Sequence, residues 1–462
     1  MQAHSTRAAR TIFTGVLALA LGACAAVGPD FQGLKTHPGD APSSGKAATW
    51  APVTLSVFHD PVLRKLVAQA QKDNPTVAQA QARLAQARLT YEGTQAVQGI
   101  GLGAQASLSR QRAAQGGPVH VTTSTAAADA SWQLDLFGGQ RRQLQELDAL
   151  QHSQAQSLQA ARIALAAQVA SAYVNVRGCE RQVPVYVAAV RTEQALLRLA
   201  QAQYVAGTVS LEATQQAQLS SAAAQQQLVS EQSACADDRH VLQGLTSLGT
   251  SELNKLLSQG QALWPALKAP PTMRAVPAFV VLQRPDVRAA FEQARAQSAA
   301  IGVQEAQLLP SFTLVGNIGL NNANLGGQGA WTHTWSFGPA LNIPTLDPRV
   351  VLYANKQARA AFDVSVQAWR TAVRSAALDV QNTLTALSQS QQMLRIDKAS
   401  FTAQARLLSL AHAQHAAGTI PKQTVLTAEL SRQAAWLNQD SAQQTVLQGW
   451  IALFKATASS SY

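Results

Sequence analysis

The sequence predicts a mainly α-helical protein with a small β part, built as an internal tandem repeat. Three observations predict it. First, Ala206-Gly207-Thr208-Val209 returns as Ala417-Gly418-Thr419-Ile420, 211 residues on. Asn74-Pro75-Thr76-Val77 and Arg284-Pro285-Asp286-Val287 recur at 210, and Leu136-Phe137-Gly138 lines up loosely with Thr345-Leu346-Asp347 at 209. Three anchors in one order at one spacing mark a duplicated unit of about 200 residues. Second, only 13% of the 462 residues are charged and 5% aromatic, and long Ala/Gln/Leu runs dominate, which is helical material. Third, each repeat contains two stretches where the apolar period switches from helical to two.

The N-terminus has Arg7 and Arg10, an apolar run from Ile12 to Leu21, and then Leu21-Gly22-Ala23-Cys24. The run is too short to span a membrane and reads as a secretory signal over 1–23. The small residues before Cys24 resemble a bacterial lipoprotein processing site, which implies cleavage before Cys24 and lipid on its thiol; an ordinary signal with an incidental cysteine is the alternative. Residues 24–60 are rich in Pro, Gly and Ser and read as an extended arm. The net charge is +11, and loss of Arg7 and Arg10 leaves +9. Export and the lack of an aromatic-basic patch exclude nucleic acid as a partner.

Asp60-Pro61 opens the first structural repeat, 61–247, with a helix to about Gln98 that breaks near Asn74-Pro75. Strands follow at about 99–110 and 121–132. Leu102, Ala104, Ala106 and Leu108 lie on one face, with Ala126, Ala128, Ala130 and Trp132 on one face of the second strand and Asp129 on its other. The second repeat, 284–455, has strands at about 311–321 and 331–341. There Phe312, Leu314, Ile318 and Leu320, then Trp331, His333, Trp335 and Phe337, alternate with Thr, Asn and Ser. Ten residues of that pattern is the length and character of a tilted transmembrane strand. Trp132, Trp331 and Trp335 near strand ends suit a bilayer interface. Four strands cannot close a barrel, and lipid does not tolerate an open edge, so more chains are required. Three copies would give twelve strands, although sequence alone does not select three. Two soluble hairpins are the rival reading.

Each pair of strands leads into a helix of about 69 residues, Gly138 to Gly207 and Arg349 to Gly418. Val366, Val373, Val380, Leu387, Leu394, Phe401 and Leu408 fall seven apart in the second. Pro184 inside the first predicts a bend near Gly178 to Pro184. Gly207 and Gly418 end these helices as hairpin tips, and helices return over about 210–247 and 421–455. Residues 248–283 have no counterpart after the second repeat and read as an equatorial insert; 456–462 form a tail. Cys179 and Cys235 each lie 28 residues from Gly207 and would face each other across the hairpin. In an oxidising periplasm that spacing predicts a disulfide; two buried thiols are the alternative.

His412 and His415 are three apart on a helix, but no third ligand suggests itself, so no metal site is expected. Asp135 reads either as a pore charge or as a helix cap, and Glu180-Arg181 as a solvated face. No nucleophile elbow, phosphate-cradling loop or paired-cysteine motif occurs, so neither enzyme activity nor a cofactor is expected.

Taken together, the lipoprotein site with Val27-Gly28-Pro29-Asp30, Phe58-His59-Asp60-Pro61, Trp132 to Gly138, Arg284 to Arg288, Trp335 to Pro339 and both tips resemble, in order, the TolC-like outer membrane efflux channels of the lipoprotein branch. The resemblance covers essentially the whole chain. It implies a homotrimer with a twelve-stranded transmembrane β-barrel, four strands per chain, continued by a long periplasmic α-helical barrel. It implies a passive conduit for small molecules such as drugs, embedded in outer membrane lipid. A periplasmic adaptor protein and an inner-membrane pump would be its partners. The same tube could serve protein secretion, and a non-transport, coiled-coil structural lipoprotein is a further alternative. Carried over residue by residue, the tip turns that seat the adaptor and gate the pore are Gly207 and Gly418, with Tyr204 and His415 three residues earlier. Where many members carry an acidic ring after the second tip, this chain has Thr424 and Thr427, and Ile420 replaces a basic residue. Glu212 and Glu429 are candidate substitutes for the gate lining.

Overall fold

The computed structural model describes residues 26–35, 53–113, 119–259, 278–325 and 329–457. The expected signal, Cys24 and residues 260–277 of the expected insert lie outside them. The helices are α1 (Pro61–Asp73), α2 (Pro75–Val97), α3 (Gly139–Val205), α4 (Leu211–Thr246), α5 (Thr250–Ser258), α6 (Ala278–Leu282), α7 (Pro285–Gln307), α8 (Pro348–Ala416) and α9 (Lys422–Thr457). The strands are β1 (Gly101–Ala113), β2 (Val119–Leu134), β3 (Ser311–Leu325) and β4 (Trp331–Asn342). The repeat is explicit in these bounds: α2 and α7 have 23 residues each, and α4 and α9 have 36 each. Expected boundaries shift at the strands and at the last helix. All four strands exceed ten residues, because cross-strand pairing continues past the alternating core of each. The expected break at Asn74-Pro75 divides the first helix into α1 and α2. Within the expected insert, 278–282 is helical: α6 precedes Arg284-Pro285 as the end of α1 precedes Asn74-Pro75. The last helix reaches Thr457, two residues into the expected tail.

The chain forms two compact units. The first comprises residues 26–35 of the N-terminal arm, residues 82–156 and the described residues of 288–371. Its sheet is antiparallel in the order β1-β2-β3-β4, with β1 and β4 as edges. Directly opposite residues share a face, so the register sorts side chains into cross-strand rows. One face carries Leu134·Phe312·Leu341, Trp132·Leu314·Pro339, Leu102·Ala130·Gly316·Phe337, Ala104·Ala128·Ile318·Trp335, Ala106·Ala126·Leu320·His333 and Leu108·Ser124·Asn322·Trp331. The other carries rows such as Gly103·Asp129·Asn317·Ser336 and Ser107·Thr125·Asn321·Thr332. His333 is the one ionisable side chain on the apolar rows. Trp331 opens β4 and Trp132 sits two residues from the end of β2, whereas Trp335 is the fifth of twelve residues.

The arm is held to this unit by backbone and charge. Val27 N donates to Phe137 O at 2.9 Å, and the buried Arg142 donates to Val27 O, Gly28 O and Asp30 Oδ1 at 2.9, 3.1 and 2.8 Å. Gly28 has φ +86°, and a Cβ there would lie 2.5 Å from Gly302 Cα. Phe31 meets Phe291 edge to face at 5.4 Å. The Val-Gly-Pro-Asp motif is thus a docking sequence: left-handed turn, close approach and a carboxylate for Arg142.

The second unit holds residues 36–81, 157–287 and 372–462. Its core includes Val62, Leu63, Leu66, Val169, Val176, Leu242, Leu387, Leu447 and Phe454. Of the α8 heptad, Val373, Val380, Leu387, Leu394 and Leu408 are buried. Asp60 caps α1, accepting from Val62 N at 2.8 Å and Leu63 N at 3.2 Å. A ladder of amides joins α3 to α9: Ser171, Asn175 and Gln182 bond Gln444, Gln448 and Asp440. The Gln-rich composition is spent here, where polar side chains satisfy one another between helices.

α3 runs as one helix from Gly139 to Val205 with Pro184 inside it. Gly178 serves close packing, since a Cβ there would stand 2.6 Å from Gln444 Oε1. Glu180-Arg181 is not a solvated face. Glu180 pairs with Arg177 at 2.8 Å and Arg239 at 3.1 Å, and Arg181 pairs at 2.8 Å with the buried Asp440.

The repeat builds the same joint twice. Asn74 Nδ2 donates to Leu245 O at 3.1 Å, near the end of α4, and Asn74 Oδ1 accepts from Thr76 N at 2.9 Å. At the matching place, Arg284 donates to Ala456 O at 2.7 Å, near the end of α9. Arg284 is in turn held by Asp286 at 2.8 Å and Asp379 at 3.3 Å. The residue before each proline therefore satisfies a carbonyl that its helix leaves open.

Candidate functional site

The two tips are superimposable in their bonding. Gly207 N donates to Tyr204 O at 2.9 Å and Thr208 N to Gln203 O at 2.8 Å; Gly418 N donates to His415 O at 2.9 Å and Thr419 N to Gln414 O at 3.0 Å. This is the Schellman pattern, and the two glycines take φ +72° and +74°. Thr208 and Thr419 add hydroxyl bonds to the same Gln203 and Gln414 carbonyls, at 2.9 and 2.8 Å. A Cβ on either glycine would meet nothing within 4 Å. The glycines are thus required by backbone conformation and not by crowding.

The tips differ in their surroundings. After Gly207, Ser210 caps α4 by accepting from Ala213 N at 3.2 Å. After Gly418, Pro421 holds that place, and His415 Nδ1 lies 3.0 Å from Ile420 O, bracing the turn from its own helix. Leu408, Ala411 and Val425, with Ile420 and Ala428, make a small apolar core under the second tip. Tyr204 is exposed, as are Glu212 and Thr424 in the first turns of α4 and α9 and Thr427 in the second turn of α9. Thr427 and Gln423 line a cavity of about 320 Å³ together with Glu193, Gln203, Val209 and Gln216 of the first hairpin. Burial raises the Glu193 carboxyl above its usual range. Glu212 stands apart from that cavity, and Glu429 is engaged by Arg432 at 2.9 Å. His412 has no metal-binding cluster around it among the described residues.

Cys179 on α3 and Cys235 on α4 form a disulfide with Cα atoms 5.5 Å apart. Asp135 acts as a helix cap: its Oδ1 accepts from Gln140 N and its Oδ2 from Arg141 N, both at 3.1 Å. In the second repeat Asp347 does this work, accepting from Arg349 N at 2.9 Å. Ser210 and Asn74 are legible in the sequence as capping residue types, but the partners of Asn74 and Arg284, 171 and 172 residues away, are not encoded locally. No helix among the described residues is long and apolar enough to cross a membrane; the apolar face of the four-stranded sheet is the feature suited to lipid.

The family model described as outer membrane efflux protein matches residues 66–247 and 280–459, one match per repeat. The chain is similar to the pyoverdine export outer membrane protein OpmQ of Pseudomonas putida, at 28% identity over 95% of each chain. It is similar to nodulation protein T of Rhizobium leguminosarum bv. trifolii, also at 28%, over 74% of this chain and 73% of that one. Among solved structures, the outer-membrane channel OprN shares its fold with TM-score 0.78 and 24% identity, over 94% of this chain and 98% of that one. Repeat, sheet, paired hairpins and family match agree: the chain belongs to the outer membrane efflux protein family.

Proposed function

We propose that this protein is the passive outer membrane conduit of a tripartite efflux system, working as a homotrimer. The observation that carries the reading is the sheet. Six rows of one face, from Leu134·Phe312·Leu341 to Leu108·Ser124·Asn322·Trp331, are largely apolar, and both edge strands are open. Two residues advance about 7 Å along a strand, so five row steps at about 40° of tilt give about 26 Å of bilayer depth, close to the apolar band of outer-membrane barrels. Open edges in lipid demand pairing, and three copies supply twelve strands. In this reading, residues 1–23 are a signal and Cys24 carries lipid. The arm 24–60, the repeats 61–247 and 284–455, the insert 248–283 and the tail 456–462 form the mature chain. Gly207, Tyr204, Gly418 and His415 seat a periplasmic adaptor, which links the channel to an inner-membrane pump. Thr424, Thr427 and Glu212 line the gate. The cargo is small molecules, since the relative OpmQ is named for pyoverdine export. The pump does the work, and this chain catalyses nothing.

The test is accumulation of a fluorescent efflux dye in cells lacking the gene. Wild type should restore export, while Gly418→Trp, expressed at the same level, should not. Equal export with both would remove the tip assignment, and no change on deletion would remove the efflux reading.

A further inference from the structure

Beyond the row of Leu108, Ser124, Asn322 and Trp331, the apolar face of the sheet changes character. The next row is Arg110·Thr122·Asn324 and the last is Arg112·His120. Both arginines are exposed, and neither takes part in an ion pair among the described residues. The four strands contain one carboxylate, Asp129, whose cross-strand partners Gly103 and Asn317 lie on the opposite face. The connecting segments 114–118 and 326–330 contain no Asp or Glu in the sequence. Two guanidinium groups therefore sit on the lipid-type face, one and two rows past the Trp331 row, with no counter-charge within the sheet.

We infer that Arg110 and Arg112 bind phosphate groups of outer-leaflet lipid, a reading that rests on the membrane placement proposed above. The physics leaves that surface one natural partner. An interfacial tryptophan marks where hydrocarbon gives way to headgroups, and the next rows fall at headgroup depth. Facing outward, the arginines take no part in a lumen. Guanidinium is always charged, and its planar fork matches two phosphate oxygens. Residues i and i+2 stand about 7 Å apart along the strand, so both can engage one phosphorylated headgroup. Gln111, between them, points to the other face.

The experiment is co-purification and titration of full-length protein in detergent with lipid A, and with lipid A treated with phosphatase, read by native mass spectrometry. Wild type should retain lipid A and lose it when the phosphates are removed. Arg110→Gln with Arg112→Gln should weaken retention about 25-fold, at about fivefold per basic residue near an anionic surface. Lys at both positions should restore most of it, whereas adding Gln111→Arg to the double Gln variant should not. Equal retention by wild type and the double Gln variant, retention of the phosphate-free lipid, or rescue by Gln111→Arg would each overturn the assignment. Single-channel conductance of the same preparations separates the two readings. A conducting protein without phosphate-dependent retention refutes this inference alone, and a protein that never conducts refutes the channel.

Discussion

The joint at Asn74 makes a prediction whose size follows from two hydrogen bonds. Asn74 is 6% exposed, so water does not replace what it loses. Asn74→Ala removes the cap on α2, worth about 1 kcal/mol, and strands the Leu245 carbonyl, at about 1–3 kcal/mol for a buried unpaired acceptor. The sum is about 3 kcal/mol, or a fall of about 6 °C in Tm at about 2 °C per kcal/mol for a unit of about 270 residues. Asn74→Asp divides the two roles. It keeps an acceptor for Thr76 N but has no donor for Leu245 O, and it places a negative charge at the carbonyl end of α4, where the helix dipole opposes it. The aspartate variant should therefore lose most of what alanine loses. The assay is thermal unfolding by far-ultraviolet circular dichroism in detergent, at neutral pH, with hydrogen exchange at the end of α4 as the local readout. A shift within about 2 °C for alanine would refute the burial argument. An aspartate variant as stable as wild type would show that the Leu245 bond contributes nothing.

Three further predictions follow from single features. Gly207→Ala or Gly418→Ala should cost about 1–2 kcal/mol each from the left-handed backbone alone, because no neighbour obstructs the new methyl group; a loss of folded protein on expression would contradict this. Cys179→Ser with Cys235→Ser opens a loop of 56 residues, a loss of about 4 kcal/mol in the chain-entropy model, and should abolish any effect of reductant on Tm; a wild-type Tm indifferent to reductant would sink the reading. Burial pushes the Asp286 carboxyl up, but the hydrogen bonds and charge of Arg284 outweigh this and hold it below the usual range. Its contribution to stability is therefore full above about pH 4 and lost as pH falls through the depressed folded value. Asp286→Asn should flatten that acid limb of the stability profile, and an unchanged limb would show that the pair is silent.

Much of this architecture is legible in the chain because its signals are local. Glycine at a helix end and alternation over ten residues each report on their own neighbourhood, and recurrence at 209–211 residues shows the same local signals twice. The tips and the two faces of the sheet were readable for that reason. What the sequence conceals is distant partnership. Glu180-Arg181 reads as a solvated pair because Arg239 and Asp440 lie 59 residues away on α4 and 259 away on α9. The Val-Gly-Pro-Asp motif is visible as a motif, but Arg142 and Gly302, which give it a purpose, carry no mark of it.

The twin joints bear on how such a chain is made. The contact of Asn74 with Leu245 and the disulfide of Cys179 with Cys235 both lie wholly within the first half. The contact of Arg284 with Ala456 lies wholly within the second. A chain threaded across a membrane from its N-terminus presents the first half complete before Arg284 emerges, and domains commonly fold in that order. Each half then fastens its own returning helix to its own beginning, with a neutral amide in one and a guanidinium in the other. Both fasteners donate to a backbone carbonyl near the end of the returning helix of their own repeat, so each repeat closes on itself through contacts it carries within its own length.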